Sequence, residues 1–384
     1  MHAQAGAELP LTAPGGRGHA PPPRARPLRI ADVAIFYGER TGGIRTYLEA
    51  KARFAAETGR FEHHLVVPGP TTASDGCGRH PQRSLRLAAA NGYRLPLGGA
   101  GVQETLESLT PDVVLIHDPF WTPRLVSRVA HEQGATVIAV HHSSASLQAA
   151  GLPGPGAVYA PALRRWYRHA YLDVDAVMSV IDPAFDTRRT TTLPLRLGLD
   201  PAFVPRPEIA RGDEVLYVGR LSREKGVREL LHAAAAASTP WPLVLLGTGP
   251  LGDALRDRAR SLGLAGRVTF APFEGDREQL ARRYAAARCA VLPGPHETFG
   301  LAALEAGACA TTVVTADTTP AAGLLDGVVE TFTGGNTAGL LAAIERARAR
   351  APDPVAAAAL AARHTWERAF SAELADLQRL LGRR

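Results

Sequence analysis

Lysine is almost absent from this chain: of 43 basic residues only Lys51 and Lys225 are lysines. Against so strong a bias toward arginine, each lysine marks a position to be located. Cysteine is scarce as well. Cys77, Cys289 and Cys309 are odd in number and two of them lie in apolar runs, which excludes a disulfide framework and fits buried thiols in a reducing compartment. Long hydrophobic runs are missing. None approaches the roughly 20 residues that cross a bilayer, so no spanning helix is expected. Residues 1–27 carry Pro21, Pro22 and Pro23 followed by Arg24 and Arg26, without the apolar core of a secretion signal, and read as a disordered tail. A cytoplasmic location is the expectation. Charge of one sign is also in modest excess. The net charge is +6, several arginines lie in the tail and the rest are dispersed, which argues against a nucleic-acid partner and leaves an anionic substrate or membrane face.

What is present is the composition of a globular protein, 46% hydrophobic and 21% charged, over 384 residues, a comfortable length for two domains. Short β-rich runs at 29–37, 64–67, 112–117, 136–141 and 176–181 alternate with helical patterns. After a Pro-rich link at 193–207 the rhythm restarts at 214–218, 243–246, 267–270, 289–292 and 311–314. Such alternation builds βαβ units around parallel sheets. The expected fold is therefore α/β, with two Rossmann-like, doubly wound domains at 28–190 and 213–364, joined by a linker at 191–212. Trp366, Phe370, Leu374, Leu377 and Leu381 recur at helical spacing, so 365–384 should form an amphipathic helix docked on a domain face. Ligands of doubly wound sheets bind at the carboxyl ends of the strands.

The sharpest motif follows the run 289–292: Pro293-Gly294-Pro295-His296-Glu297-Thr298-Phe299-Gly300-Leu301-Ala302-Ala303-Leu304-Glu305. It reads strand, turn, helix. Thr298 is positioned to cap the helix, leaving the amides of Phe299, Gly300 and Leu301 as a phosphate site at a positive helix end, with Gly300 allowing close approach. Glu297 precedes that helix and Glu305 lies inside it, roughly 10 Å further at 1.5 Å per residue, so two carboxylates bracket the phosphate site. The neighbours of Glu305 at helical spacing, Leu301, Ala302, Ala308 and Cys309, are apolar, which argues against a solvated face. A second motif, Gly219-Arg220-Leu221-Ser222-Arg223-Glu224-Lys225-Gly226, leaves the first strand of the second domain. Arg220 and Lys225 can both reach a diphosphate there. In the first domain, Gly42 and Gly43 open a helix after the first strand, either to present amides to the same phosphates or for purely steric reasons. His141 and His142 end another strand run. One imidazole there can orient or deprotonate an acceptor, and a hydrogen-bonded structural role is equally open.

Other matches fail on context. His296-Glu297 lacks the second histidine of a zinc-protease helix, because that position is Gly300, and no Gly-Lys-Ser/Thr follows a glycine-rich turn. Gly247-Thr248-Gly249-Pro250-Leu251-Gly252 has dinucleotide spacing but falls in the second βα unit of its domain. Asp173-Val174-Asp175 precedes a strand at its amino end and reads as turn chemistry, so no metal site is expected. Arg164-Arg165-Trp166-Tyr167-Arg168 is either an ordinary amphipathic helix or a membrane contact.

Taken together, these residues resemble the retaining glycosyltransferases of family 4, a resemblance that runs from about residue 29 to the terminal helix. Glu297 to Glu305 matches the family's E-x7-E, and Gly219-Arg220 through Lys225-Gly226 its G-R-x4-K-G. The resemblance implies the GT-B fold, with 28–190 on the acceptor side and 213–364 as the donor domain. It implies that Glu297 contacts the donor sugar, Glu305 the ribose, Arg220 and Lys225 the diphosphate, Gly43 the phosphates, and His141 the acceptor. Within the family, Phe36-Tyr37-Gly38, Thr41-Gly42-Gly43-Ile44-Arg45-Thr46 and 293–305 look most like the GDP-mannose-dependent mannosyltransferases of phosphatidylinositol mannoside assembly. The expectation is front-face, metal-independent transfer of a hexose, mannose in this reading, from a nucleotide-diphosphate sugar without further cofactor. The acceptor would be a small molecule or a glycolipid met at the cytoplasmic face of the membrane. A UDP-sugar with a soluble acceptor, a sugar-nucleotide epimerase and a binding protein without turnover are the alternatives. One departure stands out: the family's A-C-G-T-P-V is here Ala308-Cys309-Ala310-Thr311-Thr312-Val313, so Ala310 should crowd a turn that glycine opens. The following loop, 317–325, also lacks the family's usual glutamate.

Overall fold

The computed structural model describes residues 26–38, 42–70, 76, 78–86, 94–142, 145, 148–149, 156–180, 190–295, 297, 299–325 and 327–382. Cys77, Thr298 and almost all of the expected tail lie outside them.

Two sheets form among these residues. The first contains β1 (Leu28–Val33), β2 (Phe61–Gly69), β3 (Arg79–Arg86), β4 (Arg94–Pro96), β5 (Val113–Ile116), β6 (Thr136–His141), β7 (Ala176–Ser179) and β8 (Thr191–Pro194). Their spatial order is β4-β3-β2-β1-β5-β6-β7-β8, parallel except for the β3–β4 pair. The helices α1 (Gly43–Thr58), α2 (Ala100–Leu109), α3 (Pro123–Glu132) and α4 (Gly156–Ala170) connect these strands. The second sheet holds β9 (Val215–Val218), β10 (Leu243–Leu246), β11 (Val268–Ala271), β12 (Cys289–Leu292), β13 (Thr312–Ala316) and β14 (Val329–Phe332), in the parallel order β11-β10-β9-β12-β13-β14. Its helices are α5 (Val227–Ala236), α6 (Gly252–Ser261), α7 (Arg277–Ala286), α8 (Leu301–Ala308), α9 (Thr337–Ala349) and α10 (Pro354–Arg363), and α11 (Trp366–Leu381) ends the chain.

Parallel strands covered on both faces need apolar side chains on both, and the central strands β5, β9, β10 and β12 are apolar runs. In β1, Leu28 and Ile30 enter the core under α1, while Ala31 and Val33 enter the core on the opposite face, which Val126, Val129 and Ala130 of α3 share. In the second domain Val215 and Tyr217 face one core and Leu216 the other, which also takes Ala303 and Leu304 of α8. The free thiols Cys289 and Cys309 are buried in these cores, where burial pushes both to about 12.

One expectation about the join is corrected. Residues 191–194, read as the start of the linker, form the edge strand β8 beside β7, since Thr191 and Thr192 are β-branched and the pairing register Ala176↔Thr191 to Ser179↔Pro194 is available. The remainder of the link is packed: Leu195 joins the first domain's core, and Leu199 and Phe203 join the second's. The terminal helix does dock, and on the first domain: Phe370, Leu374 and Leu377 fill the core beside Tyr47 and Phe54 of α1. The chain thus crosses between domains twice, and the two crossings meet where Leu199 bridges Thr365.

Candidate functional site

Two cavities lie at the carboxyl ends of the strands, of about 450 and 210 Å3, and each is lined from both domains. Gly42, Gly43, Gly219, Arg220, Leu301 and Ala302 border both, so the junction of the two cavities is where the glycines, Arg220 and the first turn of α8 converge. That turn has amides with no acceptor inside the helix and lies at the positive end of its dipole.

Local sequence explains the convergence. Lys225 ends a single 3-10 turn, Arg223–Lys225, and Gly226 follows it in the left-handed conformation. A Cβ on Gly226 would lie 2.6 Å from the Pro293 carbonyl oxygen, and one on Gly294 would lie 2.9 Å from that of Glu224. With glycine at both positions the loops after β9 and β12 pack backbone to backbone. Lys225 Nζ then sits 2.8 Å from each carboxylate oxygen of Glu297. Both side chains line the larger cavity, as do Phe299, Gly300 and Leu301.

The expected cap is corrected. Gly300, not Thr298, occupies the N-cap position of α8, at φ 89°, a conformation closed to Thr and open to glycine, and its carbonyl accepts from the amides of Ala303 and Leu304. The Phe299 carbonyl accepts from Ala321 at 2.9 Å, which stitches the altered loop 317–325 to the start of this helix.

Glu305 lines the smaller cavity and is 6% exposed. Burial lifts its carboxyl from the usual 4.5 to about 7, opposed by Arg277, whose guanidinium lies 3.5 Å away, and by the Tyr284 hydroxyl at 3.4 Å. Arg277 also donates to Thr46 Oγ1 across the cleft at 2.9 Å. It is a site residue the sequence reading missed, since one arginine among many carries no local signal. Glu297 and Glu305 therefore fall in different cavities, on either side of the shared junction.

On the first-domain side, His141 lines the larger cavity with its ring edge-on to Tyr167 at 5.2 Å, and burial pushes it down to about 4, so it is neutral. His117, Asp118, His142 and Tyr171 share this wall. His117 was also missed, although its place at the end of the run 112–117 was a usable signal. The decoys have structural uses: Asp175 Oδ2 accepts from the Val137 amide at 2.8 Å, while Gly247 and Thr248 line the smaller cavity. Among the described residues no group of three or more His, Cys, Asp or Glu side chains is arranged to hold a metal ion.

Known proteins match this architecture. Residues 205–338 match the family described as glycosyl transferases group 1. The chain is 33% identical over 314 residues to the GDP-mannose-dependent alpha-(1-6)-phosphatidylinositol dimannoside mannosyltransferase of Mycobacterium tuberculosis, covering 76% of this chain and 80% of that relative. It is 36% identical over 183 residues to a D-inositol 3-phosphate glycosyltransferase of Mycolicibacterium paratuberculosis, 44% of this chain and 41% of the relative. Among solved structures, sucrose-phosphate synthase from Thermosynechococcus elongatus superposes with a TM-score of 0.71 at 20% identity, covering 92% of this chain and 99% of that one.

Proposed function

Because the chain belongs to the group 1 glycosyl transferases and has their two-domain GT-B fold, we propose that it is a retaining mannosyltransferase that takes mannose from GDP-mannose to a hydroxyl of a phosphatidylinositol mannoside type of glycolipid. The observation that carries the reading is the junction of the two cavities, where Arg220 and the first turn of α8 supply positive charge opposite Gly42 and Gly43, with Lys225 beside it in the larger cavity on Glu297. In this reading the diphosphate occupies the junction, the nucleoside the smaller cavity with its ribose on Glu305, and the mannose the larger cavity beside Glu297. Glu297 exchanges part of its ion pair with Lys225 for the sugar hydroxyls as Lys225 turns to the phosphates. The leaving diphosphate gains charge as the anomeric bond breaks, and donors aimed at that charge lower the barrier. The acceptor hydroxyl attacks from the face the diphosphate leaves, so no side-chain nucleophile is needed. Metal independence and the absence of a further cofactor belong to the same reading, because two bases and a helix end meet the charge that a divalent ion otherwise meets.

Mannose as the transferred sugar and a glycolipid as acceptor are supported by the mycobacterial relative. The surface adds support for the glycolipid acceptor alone. Helix α4 lines the cavity with Tyr167, while its other face exposes Trp166 at 43% and Val158 at 69% beside the exposed Arg164, Arg165 and Arg168. Trp166 Nε1 donates to the Pro119 carbonyl, and Pro119 also lines the cavity, so this face adjoins the acceptor entrance. No helix among the described residues is long and apolar enough to cross a membrane. The proposal is a peripheral visit to the cytoplasmic face, with each basic residue near an anionic surface contributing about 1 kcal/mol.

A panel of GDP- and UDP-sugars, followed by sedimentation with anionic vesicles at low and high salt, tests both parts. GDP-mannose is the expected preferred donor, and binding to vesicles is expected at low salt and lost at high salt. Preference for a UDP-sugar would refute the donor, and failure to sediment at low salt would favour a soluble acceptor.

A further inference from the structure

Behind the first-domain wall of the larger cavity runs a line of buried charged groups that the diphosphate chemistry does not use. Lys51, one of the two lysines, is 1% exposed and pairs with two carboxylates. Its Nζ lies 3.0 Å from Asp32 Oδ2 on β1 and 2.8 Å from Glu373 Oε1 on α11. Asp32, fully buried, also holds two imidazoles: His63 Nε2 is 2.6 Å from Oδ2, and His117 Nε2 is 2.6 Å from Oδ1. His117 Nδ1 meets His142 Nε2 at 2.6 Å, with the two rings stacked 4.9 Å apart. His117 and His142 line the cavity. A continuous hydrogen-bonded line therefore connects the terminal helix to the cavity wall. Withdrawing three charged groups from water is costly where apolar packing would serve, which gives the line the mark of a device rather than of a filler.

The proton positions follow from chemistry. Burial would raise the Asp32 carboxyl, but Lys51, His117 and His63 hold it well below the usual carboxylate range. An ionised carboxylate only accepts, so both ring nitrogens facing Asp32 carry hydrogen. In the arrangement in which His142 Nε2 donates to His117 Nδ1, His142 Nδ1 keeps a lone pair. Burial, His117 and His141 push His142 down, Asp32 pulls it up and Lys51 opposes Asp32. The other titratable or charged groups around the pair are Tyr47 of α1, whose ring lies 5.9 Å from His117 and 6.0 Å from His142, and the buried Asp118, which accepts from the amides of Ile35, Phe120 and Trp121. Tyr47 donates to Glu373 Oε2.

We propose that Lys51 and Glu373 are positioning residues for the acceptor side: through Asp32 they keep His117 and His142 neutral and in one tautomer, so that His142 accepts a hydrogen bond from the acceptor hydroxyl. Lys51 offsets the Asp32 charge that would otherwise draw a proton onto the imidazoles, and Glu373 anchors Lys51 and ties the arrangement to α11. The acceptor's identity rests on the function proposed above, whereas the state of the imidazoles does not.

Nitrogen-15 NMR of the histidine rings in the full chain, assigned with His117→Gln and His142→Asn, reads that state directly. The parent is expected to show both rings neutral and Nε2-protonated at pH 7, and a cationic His117 or an Nδ1-protonated His142 would overturn the proposal. In Lys51→Met/Glu373→Gln the His117–His142 pair should take up a proton at least one pH unit higher than in the parent. Glu373→Gln alone, nearly isosteric, should move that midpoint lower, and it decides the matter if the double variant does not fold. Opposite shifts are a signature that lost packing cannot produce. Parental midpoints in both folded variants, or an equal or higher midpoint in Glu373→Gln, would defeat the proposal. Affinity for GDP, measured by calorimetry, should be unchanged in each folded variant. A parent that fails to bind GDP would refute the donor reading and leave the imidazole result standing.

Discussion

Glu305 shows what a single residue reveals and what it withholds. Its apolar neighbours at helical spacing announced a buried carboxylate, and it is buried. The counter-charge, Arg277, had no such signal, because the pairing is made by the fold. A rise from 4.5 to about 7 means that the folded state binds a proton more tightly than the unfolded chain. The stabilisation from that proton is fully present below about pH 4.5 and is lost as pH rises through 7, a loss of about 3 kcal/mol at 1.36 kcal/mol per unit. Glu305→Gln should therefore raise the melting temperature at pH 8 and leave it near parental at pH 4, while weakening donor binding at both. An equal melting temperature at pH 8 would show that the carboxylate is not buried at a cost. Lys51 was conspicuous as a rarity, yet its partners were illegible. Asp32 and Glu373 stand inside apolar periodic runs, and Asp32 is 85 positions from His117. A periodic pattern registers such a charge as an exception and gives no partner for it.

At the level of elements, the strands that the sequence displayed best are the central ones, because burial on both faces leaves an uninterrupted apolar run. Thus 136–141, 243–246 and 289–292 coincide with β6, β10 and β12. The missed strands are β3, β4, β8 and β14, all four of which lie at or beside a sheet edge, where exposed polar residues such as Arg83, Thr192 and Thr331 interrupt the apolar pattern. Their pairing comes from the neighbouring strand more than from their own pattern. Helix α8 was found in register, but its start was misplaced because a capping threonine is a stronger local signal than a glycine whose conformation only the turn defines. The turn after α8 is the converse case. Ala310 sits at φ 58°, 5% exposed, with its carbonyl held by Arg211 at 2.9 Å, so the crowding expected from the sequence takes the form of left-handed backbone. An L residue pays about 1–2 kcal/mol there, more than the methyl contact and the extra chain entropy of glycine return. Ala310→Gly should stabilise the protein by about 0.5–1 kcal/mol in urea unfolding, against the usual sign for that substitution. A destabilised variant would show that the turn is not strained.

The whole molecule brings together what neither domain has alone. The candidate donor groups lie on the second domain, Gly42 and Gly43 open a helix of the first, and α11 returns the chain to the first domain after the second is complete. The alternating rhythm of the sequence made the two sheets legible, together with the rule that their carboxyl ends bear the site. The facing of those ends, the two cavities and the return of α11 depend on packing between distant segments and were not legible. The central claim is that a nucleotide-diphosphate sugar binds at the junction of the two cavities and that Arg220 and Lys225 stabilise its departing diphosphate. The most direct measurement is the steady-state rate of mannose transfer from GDP-mannose to glycolipid acceptor by Arg220→Ala and Lys225→Ala, each shown to be folded by circular dichroism. Loss of a charge-assisted contact to a developing anion costs roughly 3 kcal/mol, so each variant should be slower by at least about a hundredfold. Transfer by either folded variant at close to the parental rate would contradict the account.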